Sequence, residues 1–165
     1  MAVIELLRGI PPIVWLFIIF FGVGESVPGL GPFTAAVIGL GAISSAYMAE
    51  IYRGGFSAIH RGQWEAAAAL GLTPTSRMRT VVGPQVLRVS IPAMATYAVG
   101  LLKDSSVAYT IGVSDVMFYA NSQSTRLADT SRPYLLAAAV YIVLTIPFAW
   151  AARRVEGRLR RRVAR

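Results

Sequence analysis

Four stretches of this 165-residue chain carry almost no charge, and this pattern limits the fold more than any other feature. Residues 33–51 hold one charged side chain, Glu50, and residues 89–102 and 134–152 hold none. Residues 10–23 are also uncharged, although this block is shorter. Apolar blocks of roughly 14 to 20 residues approach or reach the length that crosses a bilayer as a helix. The sequence therefore predicts an all-α integral membrane protein with about four transmembrane helices, at residues 3–23, 33–52, 84–102 and 134–152.

The basic residues are distributed unevenly among the segments outside these spans. Of the sixteen, seven lie in the tail at 153–165, five lie between the second and third spans or at their borders, one lies at the start and three lie in the last connection. With four spans, the first three groups share one face, and an excess of Lys and Arg marks the cytoplasmic face. We therefore expect the loop at 54–82 and the C-terminus in the cytoplasm. The net charge of +8 then suits membrane lipid rather than nucleic acid.

Several classes of chemistry lack the residues that they need. The chain has no cysteine, and its one histidine, His60, is more often a surface or packing residue than a metal ligand. No phosphate-binding glycine-lysine loop is present, so we expect no cofactor on this chain and no nucleotide hydrolysis by it. A membrane-embedded enzyme would need clustered acids, bases or metal ligands, whereas Glu50 and Asp104 stand apart in the sequence. We predict that the chain is not an enzyme and holds no metal.

The loop at 54–82 is too polar to span a membrane, but it has internal order. Apolar residues recur every four positions from Trp64 to Leu72, which predicts a short amphipathic helix. Gly71 would end this helix, because glycine tolerates the left-handed backbone found at helix ends. Thr73 and Pro74 are typical of the cap and the first turn of a second helix. Two short helices that meet at a glycine predict a compact projection for docking a partner.

The same loop resembles a known motif. Glu65-Ala66-Ala67 is followed by Gly71 after three residues and, after nine more, by Val-Val-Gly-Pro at 81–84. This resembles the EAA loop of ABC importer permeases, whose pattern is E-A-A, three residues, G, nine residues and then I-x-L-P. The chain departs from that pattern at Val81, where the family has Ile, and at Gly83, where it has Leu.

Four further stretches resemble the polar amino acid (histidine, glutamine or arginine type) permease subfamily. They read R-G-I-P, A-Y-M-A-E-I-Y-R-G-G, G-Q-W-E-A-A and L-L-K-D-S-S, and they begin at residues 8, 46, 62 and 101. The resemblance covers about residues 5–115 and implies one permease domain over residues 1–165. Members of the subfamily have a core of five spans, so we expect that the first of these is absent from the present sequence.

The resemblance also implies partners and roles. It implies import of a polar amino acid through the bacterial inner membrane. The partners would be a cytoplasmic ABC ATPase, an extracytoplasmic solute-binding protein and a second permease subunit, identical or related. The residues implied in coupling to the ATPase are Gly62, Gln63, Glu65, Ala66, Ala67, Gly71 and Pro84. The alternative is a truncated or degenerate permease with a structural or assembly role.

Two charged sites near the ends of spans receive separate hypotheses. An acidic residue at the end of an apolar span is costly unless it is partnered or faces water. Asp104 is therefore the candidate for contact with a substrate ammonium, although it is equally placed to cap the turn that follows. The expected substrate pathway contains Lys103, Asp104, Ser105 and Ser106. Glu50 and Arg53, three residues apart on a helix, predict an ion pair at the membrane edge.

Overall fold

The computed structural model describes residues 1–127 and 131–160, so the end of the basic tail predicted at 153–165 lies outside the described residues. All regular secondary structure in these two ranges is helical, which confirms the all-α class. In chain order the helices are α1 (Ala2–Gly9), α2 (Pro12–Phe17), α3 (Pro32–Ser57), α4 (Arg61–Ala69), α5 (Pro74–Arg77), α6 (Gly83–Asp104), α7 (Val116–Leu127) and α8 (Ser131–Arg160).

Shorter helical turns extend or connect several of these helices. A π-helical turn (Ile18–Val23) and a 3-10 turn (Gly24–Ser26) continue α2. A second π-helical turn, Met78–Val82, joins α5 to α6, and a 3-10 segment, Ser105–Ile111, follows α6. The chain therefore runs almost without a break from Pro74 to Ile111 in helical geometry.

Three helical stretches in the described residues are long and apolar enough to cross a membrane: Pro32–Ser57, Pro74–Ile111 and Ser131–Gly157. Each contains one of the spans predicted from the sequence. The helix α3 runs past the predicted end at residue 52. Arg53 contributes to this extension, because its carbonyl accepts a hydrogen bond from the Ser57 hydroxyl at 3.0 Å and its side chain pairs with Glu50.

The first predicted span differs most from the structure. Instead of one helix over residues 3–23, the chain forms Ala2–Gly9 and Pro12–Ser26, which are bent by 98° at the break. Ile10 has φ −98° and ψ 132°, and Pro11 has φ −55° and ψ 142°, so neither residue is helical. Proline forces the preceding residue into extended geometry, and Pro11-Pro12 removes two successive backbone donors. These effects break the helix despite the uncharged sequence.

The surface of α8 is apolar over most of its length. Leu135, Leu136 and Val143 are each between 68% and 69% exposed, and Ile146 and Phe148 are also exposed. Side chains of this size forfeit about 1.5–3 kcal/mol each when water rather than an apolar medium surrounds them. Such a surface is stable against lipid hydrocarbon or against another apolar helix.

Residues 1–47 and 99–148 form one compact unit, whose core is built around small side chains. A β-carbon placed on Gly39 would lie 2.9 Å from Leu16 Cδ2, closer than side-chain contacts occur. Helices in lipid associate through such close approach, since lipid removes most of the hydrophobic driving force between them. The fully buried or nearly buried members of this core are Leu16, Ala35, Ala36, Ala108 and Ile111.

Residues 48–98 and 149–165 form a second compact unit. Within it, Val82, Val86 and Ser90 are almost completely buried. Gly55 of α3 lies directly against α6. A β-carbon at this position would collide with Ser90 Oγ and would lie 3.2 Å from Val86 Cγ1. The end of α3 can therefore pack on α6 at this distance only because residue 55 has no side chain.

This contact generates a prediction with a matched control. Gly55→Ala should lower the free energy of unfolding by about 1–3 kcal/mol, because it overpacks the contact with Ser90. The adjacent substitution Gly54→Ala meets no atom within 4 Å and should be neutral or stabilising by about 0.5–1 kcal/mol. Thermal unfolding of the purified chain in detergent measures both. Adding Ser90→Ala should recover part of the loss, and equal stabilities for the two alanine variants would contradict the packing.

Candidate functional site

The helix α4 is fixed at its start by a histidine side chain. The Nδ1 atom of His60 accepts a hydrogen bond from the Gly62 backbone N–H at 3.1 Å, which satisfies one of the donors that a helix start leaves free. This explains the single histidine of the chain as a capping residue. The contact also places Gly62 against the imidazole, since a β-carbon there would lie 3.1 Å from Nδ1.

The turn between α4 and α5 has the geometry that the sequence predicts. Gly71 has φ +70°, in the left-handed region, and no atom lies within 4 Å of the position of a β-carbon. The Leu72 N–H donates to the Ala67 carbonyl at 3.2 Å, so the last turn of α4 is closed across the glycine. Thr73 Oγ1 then accepts from the Ser76 N–H at 3.2 Å. Thr73 as the cap of a second short helix is thereby confirmed.

Two contacts hold α4 close to the start of α6. Ala67 is 3% exposed, and α4 contacts both α5 and the π-helical turn Met78–Val82. Gln85 Nε2 donates to Gln63 Oε1 at 3.1 Å, which joins side chains 22 residues apart in sequence. Thus α4 is packed against the segment that leads into the long helix α6.

The other side of α4 is open. Glu65, Ala66 and Ala69 are exposed, and their spacing places them on one face of the helix, roughly opposite Ala67. Leu70, at the end of α4, is 79% exposed. Glu65 Oε1 accepts from Arg61 Nε at 2.8 Å, and both side chains lie mainly in solvent. An exposed face of short side chains beside an exposed leucine lets a partner surface approach the backbone closely.

The join between α5 and α6 requires a glycine. The Gly83 N–H donates to the Met78 carbonyl and closes the π-helical turn, and a β-carbon on Gly83 would collide with that carbonyl oxygen. This is the position at which the chain departs from the family pattern by having glycine in place of leucine. Pro84 follows in the first turn of α6, where a missing N–H costs little.

The predicted pair between Glu50 and Arg53 is present on α3. Arg53 Nη2 lies 2.6 Å from Glu50 Oε2, and Arg53 Nε donates to Glu50 Oε1 at 3.1 Å. The pairing is bidentate, which is the stronger geometry for a guanidinium and a carboxylate. Its location at a membrane edge stays a prediction.

The first compact unit contains a cavity of about 890 Å³. It lies between the first half of α3 and the segment that follows α6. Most of its lining is apolar, and its polar side chains are three serines and one aspartate, Asp115. The lining residues are Pro32, Phe33, Ala36, Val37, Leu40, Gly41, Ser44, Leu101, Ser105, Ala108, Gly112, Val113, Ser114 and Asp115.

Asp115 was missed by the sequence analysis. Its Oδ1 accepts from the Phe118 N–H at 2.8 Å and caps α7, and its Oδ2 accepts from the Tyr141 hydroxyl of α8 at 3.5 Å. Gly112, with φ +91°, turns the chain so that Asp115 faces the cavity. The available signal was Ser-Asp ahead of an apolar run, which is typical of a helix cap. That signal gives no indication of a cavity.

The four residues of the predicted substrate pathway do not lie together. Ser105 lines the cavity, and Ser106 lies beside Tyr141, whose hydroxyl it contacts. Lys103 and Asp104 are exposed and are not part of the cavity lining. The role of Asp104 in binding substrate therefore stays a prediction, without support from its position.

Comparison with known proteins gives a consistent result. A family model described as "binding-protein-dependent transport system inner membrane component" matches residues 1–161. A crystal structure of an amino acid ABC transporter with histidines is similar to this chain, with a TM-score of 0.89 and 36% sequence identity. The similarity covers 95% of this chain and 73% of that chain.

Relatives with assigned names share similar levels of identity. The probable amino-acid ABC transporter permease protein PatM of Vibrio harveyi is 35% identical, over 93% of this chain and 72% of the relative. The probable amino-acid ABC transporter permease protein YckA of Bacillus subtilis (strain 168) is 38% identical, with coverages of 84% and 61%. The arginine ABC transporter permease protein ArtQ of Haemophilus influenzae is 35% identical, with coverages of 96% and 75%. The chain thus spans between 61% and 75% of the length of these three relatives.

The cap at Thr73 generates a second prediction. Thr73→Ala should destabilise the turn between α4 and α5 by about 1 kcal/mol, because the Ser76 N–H loses its acceptor. Thr73→Ser keeps a hydroxyl at the same position and should behave like the native chain. Amide hydrogen exchange across residues 61–82 measures the difference as faster exchange in the alanine variant. Equal exchange in both variants would show that the cap contributes nothing to the loop.

Proposed function

Because the chain belongs to the family of binding-protein-dependent transport system inner membrane components, we propose that it is a permease subunit of an ABC importer for amino acids. The match of the family model to residues 1–161 carries this proposal. The names of the relatives support the substrate class, since those described above are amino-acid permeases and one is named for arginine. The subunit transports and does not catalyse; ATP hydrolysis belongs to a separate subunit.

The proposed docking site for that ATPase is the open face of α4 together with the turn at Gly71. The exposed alanines Ala66 and Ala69 let a groove on the partner close around the helix. Leu70 offers an apolar side chain that gains free energy when it is buried. Glu65 offers a carboxylate to a basic residue of the partner, in exchange for its solvent-exposed bond to Arg61. Exposed pairs of this kind are worth little, so the exchange costs little.

Coupling follows from the contacts on the other side of α4. When nucleotide binding moves the ATPase subunits together, α4 moves with them. The buried Ala67 and the bond from Gln63 to Gln85 pass this displacement to the start of α6. Since α6 carries Leu101 at the cavity, a rigid displacement of this helix alters the cavity. In this mechanism the protein supplies a stiff connection and no chemistry.

The proposed orientation places α4 and α5 in the cytoplasm of a bacterial cell, below the inner membrane. The excess of basic residues in the segment that contains them supports this side, because Lys and Arg are retained there. An extracytoplasmic binding protein would then deliver substrate to the opposite face. A second permease subunit, identical or related, would complete the pathway.

The cavity is the proposed place for substrate in transit. Its volume of about 890 Å³ lies within the range of roughly 300–1,000 Å³ that is usual for small-molecule sites. A mostly apolar wall with a few polar groups is also typical of such sites. The serines and Asp115 supply the groups that would orient an amino acid.

The docking proposal predicts the effect of substitution at Gly71. Gly71→Arg should abolish co-purification of the chain with its ATPase, because it places a long side chain in the docking surface and strains a left-handed residue. The position is open, so membrane insertion should be unchanged. Gly71→Asn is the matched control, since asparagine tolerates this backbone geometry, and it should keep most of the capture. Loss of membrane insertion in Gly71→Arg would show that Gly71 is only structural.

The transport proposal is tested by reconstitution. The chain, its ATPase and its binding protein are placed in proteoliposomes with a labelled amino acid. We expect uptake that requires ATP hydrolysis and that ceases when the ATPase carries a substitution that blocks hydrolysis. Assembly of a stable complex that hydrolyses ATP but takes up none of the twenty amino acids would favour the structural or assembly role.

A further inference from the structure

The cavity has one sign of charge. Asp115 is the only ionisable residue in its lining, and the remaining polar side chains there are the hydroxyls of Ser44, Ser105 and Ser114. No lysine, arginine or histidine contributes to the wall. A charge in an apolar wall acts over its surroundings more strongly than the same charge in water, because the local dielectric is low. The lining is thus selective for charge before it is selective for shape.

The carboxylate of Asp115 is positioned and retains capacity to bind. One oxygen accepts the Phe118 N–H at 2.8 Å, and the other accepts the Tyr141 hydroxyl at 3.5 Å. An ionised carboxylate has about four acceptor sites on its two oxygens, so these two bonds leave room for a cationic donor. The bond to Tyr141 is long, and an ammonium donor would form a shorter, charge-assisted bond in its place.

We propose, on the basis of the function proposed above, that Asp115 binds a positively charged group of the transported amino acid and excludes acidic amino acids from the cavity. Every amino acid brings an α-ammonium that Asp115 can bind, and its α-carboxylate can accept from the serine hydroxyls. A cationic side chain adds a second group that this wall attracts. An acidic side chain brings a second carboxylate into a wall without a basic residue, and like charges repel.

The competing view is that Asp115 only caps α7. Asparagine is as good a helix cap as aspartate, so Asp115→Asn keeps the bond to the Phe118 N–H and removes only the charge. Asp104→Asn is the matched control, because Asp104 is exposed and outside the lining. Asp104 was the residue favoured by sequence alone, and the same pair of variants therefore decides between the two aspartates.

The test measures binding to the permease–ATPase complex in detergent without the binding protein, so that selection by the binding protein does not enter. Labelled arginine, glutamine and glutamate are the probes. The native complex should bind arginine and glutamine and should bind glutamate more weakly. Asp115→Asn should weaken arginine binding by about 10- to 100-fold, as expected for loss of a charge-assisted bond, and should reduce the discrimination against glutamate. Asp104→Asn should leave all three affinities unchanged.

Each outcome has a distinct meaning. Native affinity in Asp115→Asn, or loss in Asp104→Asn alone, would overturn the inference while leaving the importer proposal intact. Tighter binding of glutamate than of arginine by the native complex would also overturn it. If the native complex binds none of the three and transports no amino acid, the proposed function itself fails. Thermal unfolding of Asp115→Asn should match the native chain, which separates loss of charge from loss of fold.

Discussion

Hydrocarbon offers no hydrogen-bond partner to a peptide group, and the chain therefore keeps almost all of its backbone in helical turns. Where the α-helix is interrupted, another kind of turn usually continues the bonding, as in Ile18–Val23, Met78–Val82 and Ser105–Ile111. The main break lies at Pro11-Pro12, where two residues have no N–H to leave unbonded. Continuity of bonding, more than any single side-chain contact, determines where this protein bends.

The same environment explains why both compact units are built around the smallest residues. In water, a core gains free energy from the burial of large apolar side chains. In lipid those side chains are already in an apolar medium, and association depends on close packing. Gly39 against Leu16, and Gly55 against Ser90, are contacts of this kind. The large apolar residues of α8 are accordingly left on its surface.

Local features of this chain were predictable from sequence, whereas features that join distant segments were not. The turn at Gly71, the cap at Thr73 and the pair of Glu50 with Arg53 each depend on residues within four positions of one another. The polar wall of the cavity depends on Asp115 meeting Tyr141, 26 residues away, and nothing in the local sequence of either residue specifies that meeting. The break at Ile10 was missed for a different reason, since apolarity was weighed above the backbone restriction that proline imposes.

The π-helical turn before α6 has a consequence for how sequences of such chains should be compared. A π turn accommodates one residue more than an α turn, so a single deletion within Met78–Val82 can be absorbed by converting one turn into the other. A single deletion within α4 has no such outlet and would rotate the rest of that helix by about 100°. The exposed alanines Ala66 and Ala69 would then leave the surface on which they lie together. An alignment that needs a one-residue gap in this region should place it just before Gly83.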